Sequence, residues 1–298
     1  MKKNGLLITV TLCFMATSCF AVSGAQVLSQ TVGARAMGMG EAFTAVSDDV
    51  NAVYWNPAGL AGLKKSEFSA MYLQGLVDNT YTSASIGVPS NNVVYGVGVS
   101  MFDGGSMDLN VNGVDSTVKA ISDYVGVFSL AKKDFMRGQS STWDLGVSAK
   151  LLSSTMIEKY SASSYAVDLG VMSKSDKITY GAVVQNIGTG IKYLEEVDPL
   201  PMTIRLGGAY NVQDTYLSKV TVSGEVVRPN DEDMKIHLGL EYWYAKLIAF
   251  RVGFKNGYTL ESYTAGIGLN VTGYQIDMGF GPMGVLGNVS KLSFTARF

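Results

Sequence analysis

The chain has 298 residues, a net charge of −2 at pH 7 and a pI near 5.5, a balance that offers no basic surface to nucleic acid. Hydrophobic residues make up 47% of it, yet beyond the N-terminus no run reaches the roughly 18 apolar residues of a spanning helix, which excludes a helical membrane protein. Only 16% of residues are charged, too few for the water-facing surface of a long soluble β protein.

Residues 1–25 read as a secretory signal peptide. Lys2 and Lys3 form a basic start, residues 6–14 are a short apolar core, and Ser23-Gly24-Ala25 offers a cleavage site before Gln26. Cys19 admits a lipoprotein reading, but Ala16-Thr17-Ser18 is a poor lipobox. Cys13 and Cys19 are the only cysteines, so a chain cleaved after Ala25 has no disulfide, thiolate metal site or cysteine nucleophile.

Residues 26–65 form a segment of different character. It holds the compact run Gly33-Ala34-Arg35-Ala36-Met37-Gly38-Met39-Gly40-Glu41-Ala42-Phe43. Ser47-Asp48-Asp49 is a candidate N-cap for a short helix through Trp55. Asn56-Pro57-Ala58-Gly59 ends that helix, because a residue before proline disfavours the helical region, and a second helical turn can begin at Pro57. The segment is too short to fold alone and must pack into something larger.

Residues 66–298 carry a strand-and-turn rhythm. Strands are predicted near 67–76, 80–88, 93–103, 118–131, 142–155, 162–173, 177–192, 201–211, 217–228, 234–245, 247–255, 259–271, 274–281 and 289–298, about fourteen in all. Turn chemistry separates them, as at Ser90-Asn91-Asn92, Asn256-Gly257 and Thr272-Gly273. Apolar and polar side chains alternate along them. Tyr274, Ile276, Met278 and Phe280 oppose Gln275, Asp277, Gly279 and Gly281, and the chain ends with Phe294, Ala296 and Phe298 opposing Thr295 and Arg297. The weakest case is 118–131, where Val125 and Phe128 fall on opposite faces. Asp144, Lys150, Asp168, Arg205, Glu225, Glu241, Arg251, Asp277 and Arg297 sit mid-strand on the polar face, joined by Lys255. In a dry sandwich core they would cost several kcal/mol each if unpaired. A transmembrane barrel sends the apolar face to lipid and the charges to its lumen. The fold class expected is therefore all-β: a transmembrane antiparallel β-barrel of about fourteen strands, an even number as closure requires. The nearly balanced signs in the lumen suggest a wall cross-linked to a plug more than a selective pore.

The opening run from Gly33 to Gly40, with Ala42-Phe43-Thr44-Ala45, Asp48-Asp49 and Tyr54-Trp55-Asn56-Pro57-Ala58-Gly59-Leu60, resembles PorV/PorQ-type outer-membrane proteins, relatives of the FadL/TodX fatty-acid transporter family. Tyr165-Ala166-Val167-Asp168-Leu169-Gly170, Asn186-Ile187-Gly188, Arg205-Leu206-Gly207-Gly208, Arg251-Val252-Gly253-Phe254 and Phe298 extend the resemblance over nearly the whole mature chain. It implies a barrel with residues 26–65 folded inside as a short helical plug, or hatch, with Gly33, Arg35, Gly38, Gly40, Asp48, Asp49, Asn56, Pro57, Ala58 and Gly59 as its motif. It also implies an outer membrane of Gram-negative type and Phe298 as the mark read by the barrel assembly machinery. The only long outer connection is 104–117, unlike the FadL transporters, and this favours the PorV/PorQ side: a barrel assisting type IX-like protein export, with secretion proteins or cargo as partners. The alternatives are a FadL-like passive transporter of a hydrophobic small molecule, and a structural or adhesive barrel. An apolar cavity beside strands 93–103 and 118–131 with a break in the wall would mark the transporter. A filled lumen with an exposed apolar outer rim would favour the export protein.

No enzyme, cofactor or metal site is expected. His237 is the only histidine, and no serine is marked to partner it as a nucleophile. Asp48-Asp49 lacks the spaced ligands of a calcium loop. Asp231-Glu232-Asp233 reads as a solvated turn. Gly38-Met39-Gly40 follows no βαβ strand and suits close backbone packing instead of a nucleotide.

Overall fold

The computed structural model describes residues 25–75, 78–111, 113–138, 140–215, 217–260 and 262–298. The signal-peptide reading, with Cys13 and Cys19, lies outside these residues apart from Ala25. The strands are β1 (Glu67–Gln74), β2 (Thr80–Ser90), β3 (Val93–Asp103), β4 (Ser106–Val111), β5 (Val114–Lys119), β6 (Ile121–Arg137), β7 (Thr142–Met156), β8 (Tyr160–Lys174), β9 (Ile178–Gly188), β10 (Thr203–Asp214), β11 (Ser218–Pro229), β12 (Lys235–Tyr244), β13 (Ile248–Asn256), β14 (Tyr263–Val271), β15 (Tyr274–Pro282) and β16 (Asn288–Arg297). Fourteen of them form a closed antiparallel barrel, with β3 passing to β6 and β1 pairing with β16 from Glu67↔Arg297 to Gln74↔Ser290.

Alternation sets the two faces. On β15, Tyr274, Ile276, Met278 and Phe280 are exposed outward while Gln275 and Asp277 are buried inward. On β7, Leu145, Val147 and Leu151 face out while Asp144, Ser148 and Lys150 face in. The outer face is thus a continuous apolar belt, as lipid demands. The wall is uneven in height: β6, β7 and β8 run 17, 15 and 15 residues, whereas β13, β14 and β15 run 9 each.

Several boundaries differ from the sequence reading. The long 104–117 connection is not irregular: β4 and β5 form a separate two-stranded sheet there, and the next barrel strand begins at Ile121 and continues to Arg137. The strand expected over 177–192 stops at Gly188, where the chain turns back over the lumen. The strand expected from 201 begins at Thr203, because Pro201 has no N–H to give the ladder. The mixed facing of 118–131 is real: Val125, Val127 and Ala131 are buried inward although apolar, with Phe128 outward.

The lumen holds the N-terminal segment. It contains a 3₁₀ turn (Gln26–Ser29), helix α1 (Ala34–Gly38), helix α2 (Ala52–Trp55) and a second 3₁₀ turn (Pro57–Gly62). Every residue from Val32 to Ser47 is buried. Helix α1 packs against β13–β16, and the Pro57–Gly62 turn packs against β3, β6, β7 and β8 across the barrel. Asn56 is extended (φ −143°, ψ 104°), so α2 ends at Trp55, and its Oδ1 accepts from the Ala58 N–H at 3.1 Å to start the next turn. The backbones come unusually close. A Cβ on Gly253 would stand 1.9 Å from the Gly40 nitrogen, and one on Gly146 would stand 2.1 Å from the Ala58 nitrogen. Wall glycines here are clearance for the segment inside.

Candidate functional site: the occluded lumen and its rim cavity

Two hydrogen-bonded circuits run from the inner segment to the wall and back. The first begins at Arg35, whose Nε and Nη2 grip Glu241 at 2.9 and 3.0 Å. Glu241 also accepts from Arg251 Nε at 2.7 Å, and Arg251 Nη1 reaches Asp277 at 2.8 Å. Gln275 links Asp277 (2.7 Å) to Arg297 (3.0 Å), and Arg297 pairs with Glu67 at 2.9 Å. Glu67 closes the loop by accepting the Val50 N–H at 3.1 Å. The second circuit begins where Glu225 accepts the N–H groups of Phe43 and Thr44 at 3.0 and 2.8 Å. Glu225 pairs with Arg205 at 2.7 Å, and Arg205 donates to Gln185 at 3.0 Å. Gln185 returns to the carbonyls of Tyr54 and Trp55, both at 2.9 Å. Charge-assisted and bidentate bonds of this kind are the strong ones in a low-dielectric interior.

The expected lumen charges divide in use. Arg205, Glu225, Glu241, Arg251, Asp277 and Arg297 belong to the circuits. Lys150 pairs with Asp168 at 2.7 Å and Asp144 with Lys174 at 3.0 Å, within the wall. Of the two expected cap acids, Asp49 accepts the Asn51 N–H on Oδ1 at 2.9 Å just ahead of α2, while Asn51 at the N-cap makes no side-chain bond. Both carboxylates also hold Arg35 Nη1, at 2.6 and 3.0 Å. Gly33 starts α1, and Gly38 lies against Gly266 of β14. Gly40 is wedged between β12 and β13, and Gly59 lies against the Ser47 carbonyl. Pro57 and Ala58 sit over Gly146. Phe298 is exposed at the barrel end, its N–H donating to Ser66 O at 2.9 Å.

Sequence reading missed Gln185, Gln275, Glu41, Glu67 and Lys291. Lys291 shares the inward parity of Ser293, Thr295 and Arg297, so extending the alternation would have found it. Glu41 pairs with Lys255 at 2.9 Å and accepts from Thr31 at 2.6 Å, while Lys291 donates to Thr31 Oγ1 at 2.7 Å. Burial pushes the Glu41 carboxyl up, but the Lys255 and Lys291 ammonium groups outweigh it and hold it well below the usual range. Burial holds Asp49 above its ordinary value despite Arg35. His237 is buried, with Nε2 3.0 Å from the Tyr258 hydroxyl and Nδ1 3.3 Å from the Glu41 carbonyl. In the acidic turn, Glu232 pairs with Lys235 and Asp233 lies 4.0 Å from Arg228.

Above the circuits, at the rim opposite Phe298, lies a cavity of about 260 Å³. The inner segment contributes Leu28, Val32 and Trp55 to it, and the wall contributes Arg205, Lys255 and Tyr258. The inner segment also brings Ser29, Gln30, Thr31 and Glu41, so the lining is mostly polar with apolar residues interspersed. The space is slightly smaller than the about 300–1,000 Å³ of ordinary ligand pockets.

The molecule is thus a closed fourteen-strand barrel occluded by its own N-terminal segment, the architecture of the FadL/TodX barrels. Residues 19–151 match the model of an uncharacterised protein family, UPF0164. No curated protein matches the chain. Among solved structures it is similar to the Ralstonia pickettii toluene transporter TbuX, at 14% identity over 90% of this chain and 98% of that one, with a TM-score of 0.60. The P. putida toluene transporter TodX gives 11%, 90%, 98% and 0.61, and a Pseudomonas aeruginosa FadL homologue 13%, 90%, 99% and 0.54. At these identities the likeness is one of fold. It carries the FadL/TodX side of the resemblance, and the PorV/PorQ side rests on the quoted sequence motifs alone.

Proposed function

We infer that the protein is an outer-membrane barrel that passively admits a small hydrophobic or amphipathic molecule. One observation carries the reading: a cavity between the inner segment and the wall, open at the rim away from the C-terminus, in a fold that transporters of small hydrocarbons share. Its apolar residues, among them Leu28, Val32 and Trp55, suit a small hydrocarbon body, and its more numerous polar ones, such as Glu41, Arg205 and Lys255, suit a polar end. In this reading residues 1–25 direct export, residues 26–65 are the plug, and residues 66–298 are the barrel. Phe298 is read during assembly, and the lumen charges of the two circuits keep the plug seated.

The export reading keeps one observation in its favour. The wall between β3 and β6 is unbroken, pairing from Val93↔Lys132 to Asp103↔Ser122 without a shift, and plug side chains fill the lumen behind it. Uptake decides between the two. In cells whose only FadL-type barrel is this one, labelled toluene should accumulate several-fold faster than in cells lacking it. Equal uptake, with exported proteins lost from the medium of the deletion strain, would transfer the assignment to export.

A further inference from the structure

The two rims of the barrel differ in charge on the side of β6–β9. The rim near Phe298 has the short turns, as at residues 91–92 and 272–273, which makes it the periplasmic end of an outer-membrane barrel. There Lys132, Lys133, Arg137 and Lys177 are exposed, against the acids Asp134 and Asp176. The opposite rim exposes Asp108, Asp115, Glu158, Glu195 and Glu196 against Lys119, Lys159 and Lys192. Among the described residues Lys132, Lys133 and Lys177 make no ion pair. Arg137 reaches Asp134 at 2.8 Å with 74% of its side chain exposed.

Where the apolar belt meets these cations the outward face is furrowed. A groove of about 400 Å³ runs between Trp143 of β7 and Tyr180 of β9, lined also by Val171, Ala182, Leu206 and Gly208. Both aromatic residues lie within the first turns of their strands at the periplasmic rim. Ala182 pairs with Val171 on one side and Leu206 on the other, so a small side chain stands between two larger ones. Gly208 pairs with Tyr180, and a Cβ on it would stand 3.7 Å from the tyrosine ring, which therefore leans across β10 as one wall of the furrow. The cations stand around its mouth. Lys177 precedes Tyr180 by three residues, about 10 Å of strand. Arg137 pairs with Thr142, the neighbour of Trp143. Lys132 pairs with Leu145 on the outward face, where a lysine turns its ammonium group towards the interface. The register slip between Lys132 and Met136 leaves Phe135 and Met136 exposed between the cations.

We propose that this furrow binds an anionic phospholipid of the periplasmic leaflet, with an acyl chain between Trp143 and Tyr180 and the phosphate among Lys132, Arg137 and Lys177. Charge selects both the lipid and the leaflet. Each basic side chain beside a lipid surface raises affinity for anionic headgroups about fivefold. A similar apolar furrow of about 420 Å³, between Tyr124 and Tyr165, opens towards the acidic rim instead. The site rests on the membrane-barrel part of the reading above and not on transport.

Trp143 reports on the site directly. Of the three tryptophans, Trp55 is buried in the plug and Trp243 lies under the Arg251 guanidinium on the lumen face, so a quencher carried on lipid reads Trp143. The purified full-length protein is reconstituted in phosphatidylcholine vesicles containing a rising share of dibrominated phosphatidylglycerol or, separately, dibrominated phosphatidylcholine. Half-maximal quenching should need about tenfold less of the brominated phosphatidylglycerol. Lys132→Gln with Arg137→Gln and Lys177→Gln should bring the two lipids within about twofold. Lys119→Gln with Lys159→Gln and Lys192→Gln, at the opposite rim, should leave the preference intact. Equal quenching by the two lipids in the wild type, a preference that survives the periplasmic triple variant, or the same loss from both triple variants overturns the site. No quenching by either lipid in a protein that still shows the folded-to-unfolded gel shift overturns the site alone; without that shift the membrane barrel fails with it.

Discussion

The two halves of the barrel hold the same plug by different physics. From β9 through β13, and again at β15, β16 and β1, the contact is ionic and hydrogen-bonded: Arg35 on Glu241, the Phe43 and Thr44 amides on Glu225, Val50 on Glu67. Across β3, β6 and β7 it is mainly apolar, with Val53, Leu60 and Leu63 among Val94, Val125, Val127 and Leu152, and the Tyr54 hydroxyl 2.8 Å from the Val99 carbonyl as a polar addition. There the wall's own charges, Lys150 with Asp168 and Asp144 with Lys174, pair among themselves. Directional bonds specify where the plug sits. Apolar contact rewards filling but tolerates sliding. The ionic half therefore sets the plug's position and the apolar half seals what remains.

Removing both kinds of contact at once gives the largest effect. Deleting residues 26–65 should leave a barrel that still closes, because β1 and β16 pair without the plug. Its planar-bilayer conductance should rise from near zero to a large steady level. A large conductance in the intact protein would show that the segment does not occlude the lumen.

Separating the halves comes next. Arg35→Ala leaves Glu241 with Arg251 as its remaining guanidinium and takes the shared cation from Asp48 and Asp49, and should cost about 3–5 kcal/mol. It should show as a lower temperature for the folded-to-unfolded gel shift and as bursts of conductance. Leu60→Ala, on the apolar half, should cost about 2–5 kcal/mol in stability yet leave the bilayer quiet. Equal leakage from the two variants would erase the distinction.

A smaller effect is expected from Lys150→Met combined with Asp168→Asn. The pair's bonds run to each other and to Asn186; Lys150→Met gives up the one to Asn186 Oδ1, the new amide can still accept the Asn186 N–H, and replacing a buried pair jointly is often near neutral. The gel-shift temperature should move by only a few degrees, and conductance not at all. The smallest change in final stability should come from Phe298→Ala, since that side chain is 66% exposed and its backbone bond to Ser66 survives. Its effect should be on the rate of insertion into native membranes, and an unchanged rate would remove the assembly role.

Much of this was legible from residue order. Side-chain alternation is local, so parity alone placed Asp144, Asp168, Glu241, Arg251 and Asp277 on the lumen face, and the even strand rhythm gave a closed barrel. Asn56-Pro57 announced its break because proline's steric demand reaches only one residue back. Parity says which face a charge takes but not which charge it meets. That Asp48 and Asp49 both hold Arg35, and that Gln185 and Gln275 complete the two circuits, depends on strands distant in sequence being curled to a common centre. The same limit hid how residues 189–202 cover the lumen, whereas the β4–β5 hairpin is local pairing that the sequence reading treated as a connection. Local chemistry determined that this chain makes a barrel with a filled, charged interior. Closure of the barrel decided which groups touch, and so which half of the wall holds the plug by charge and which by apolar contact.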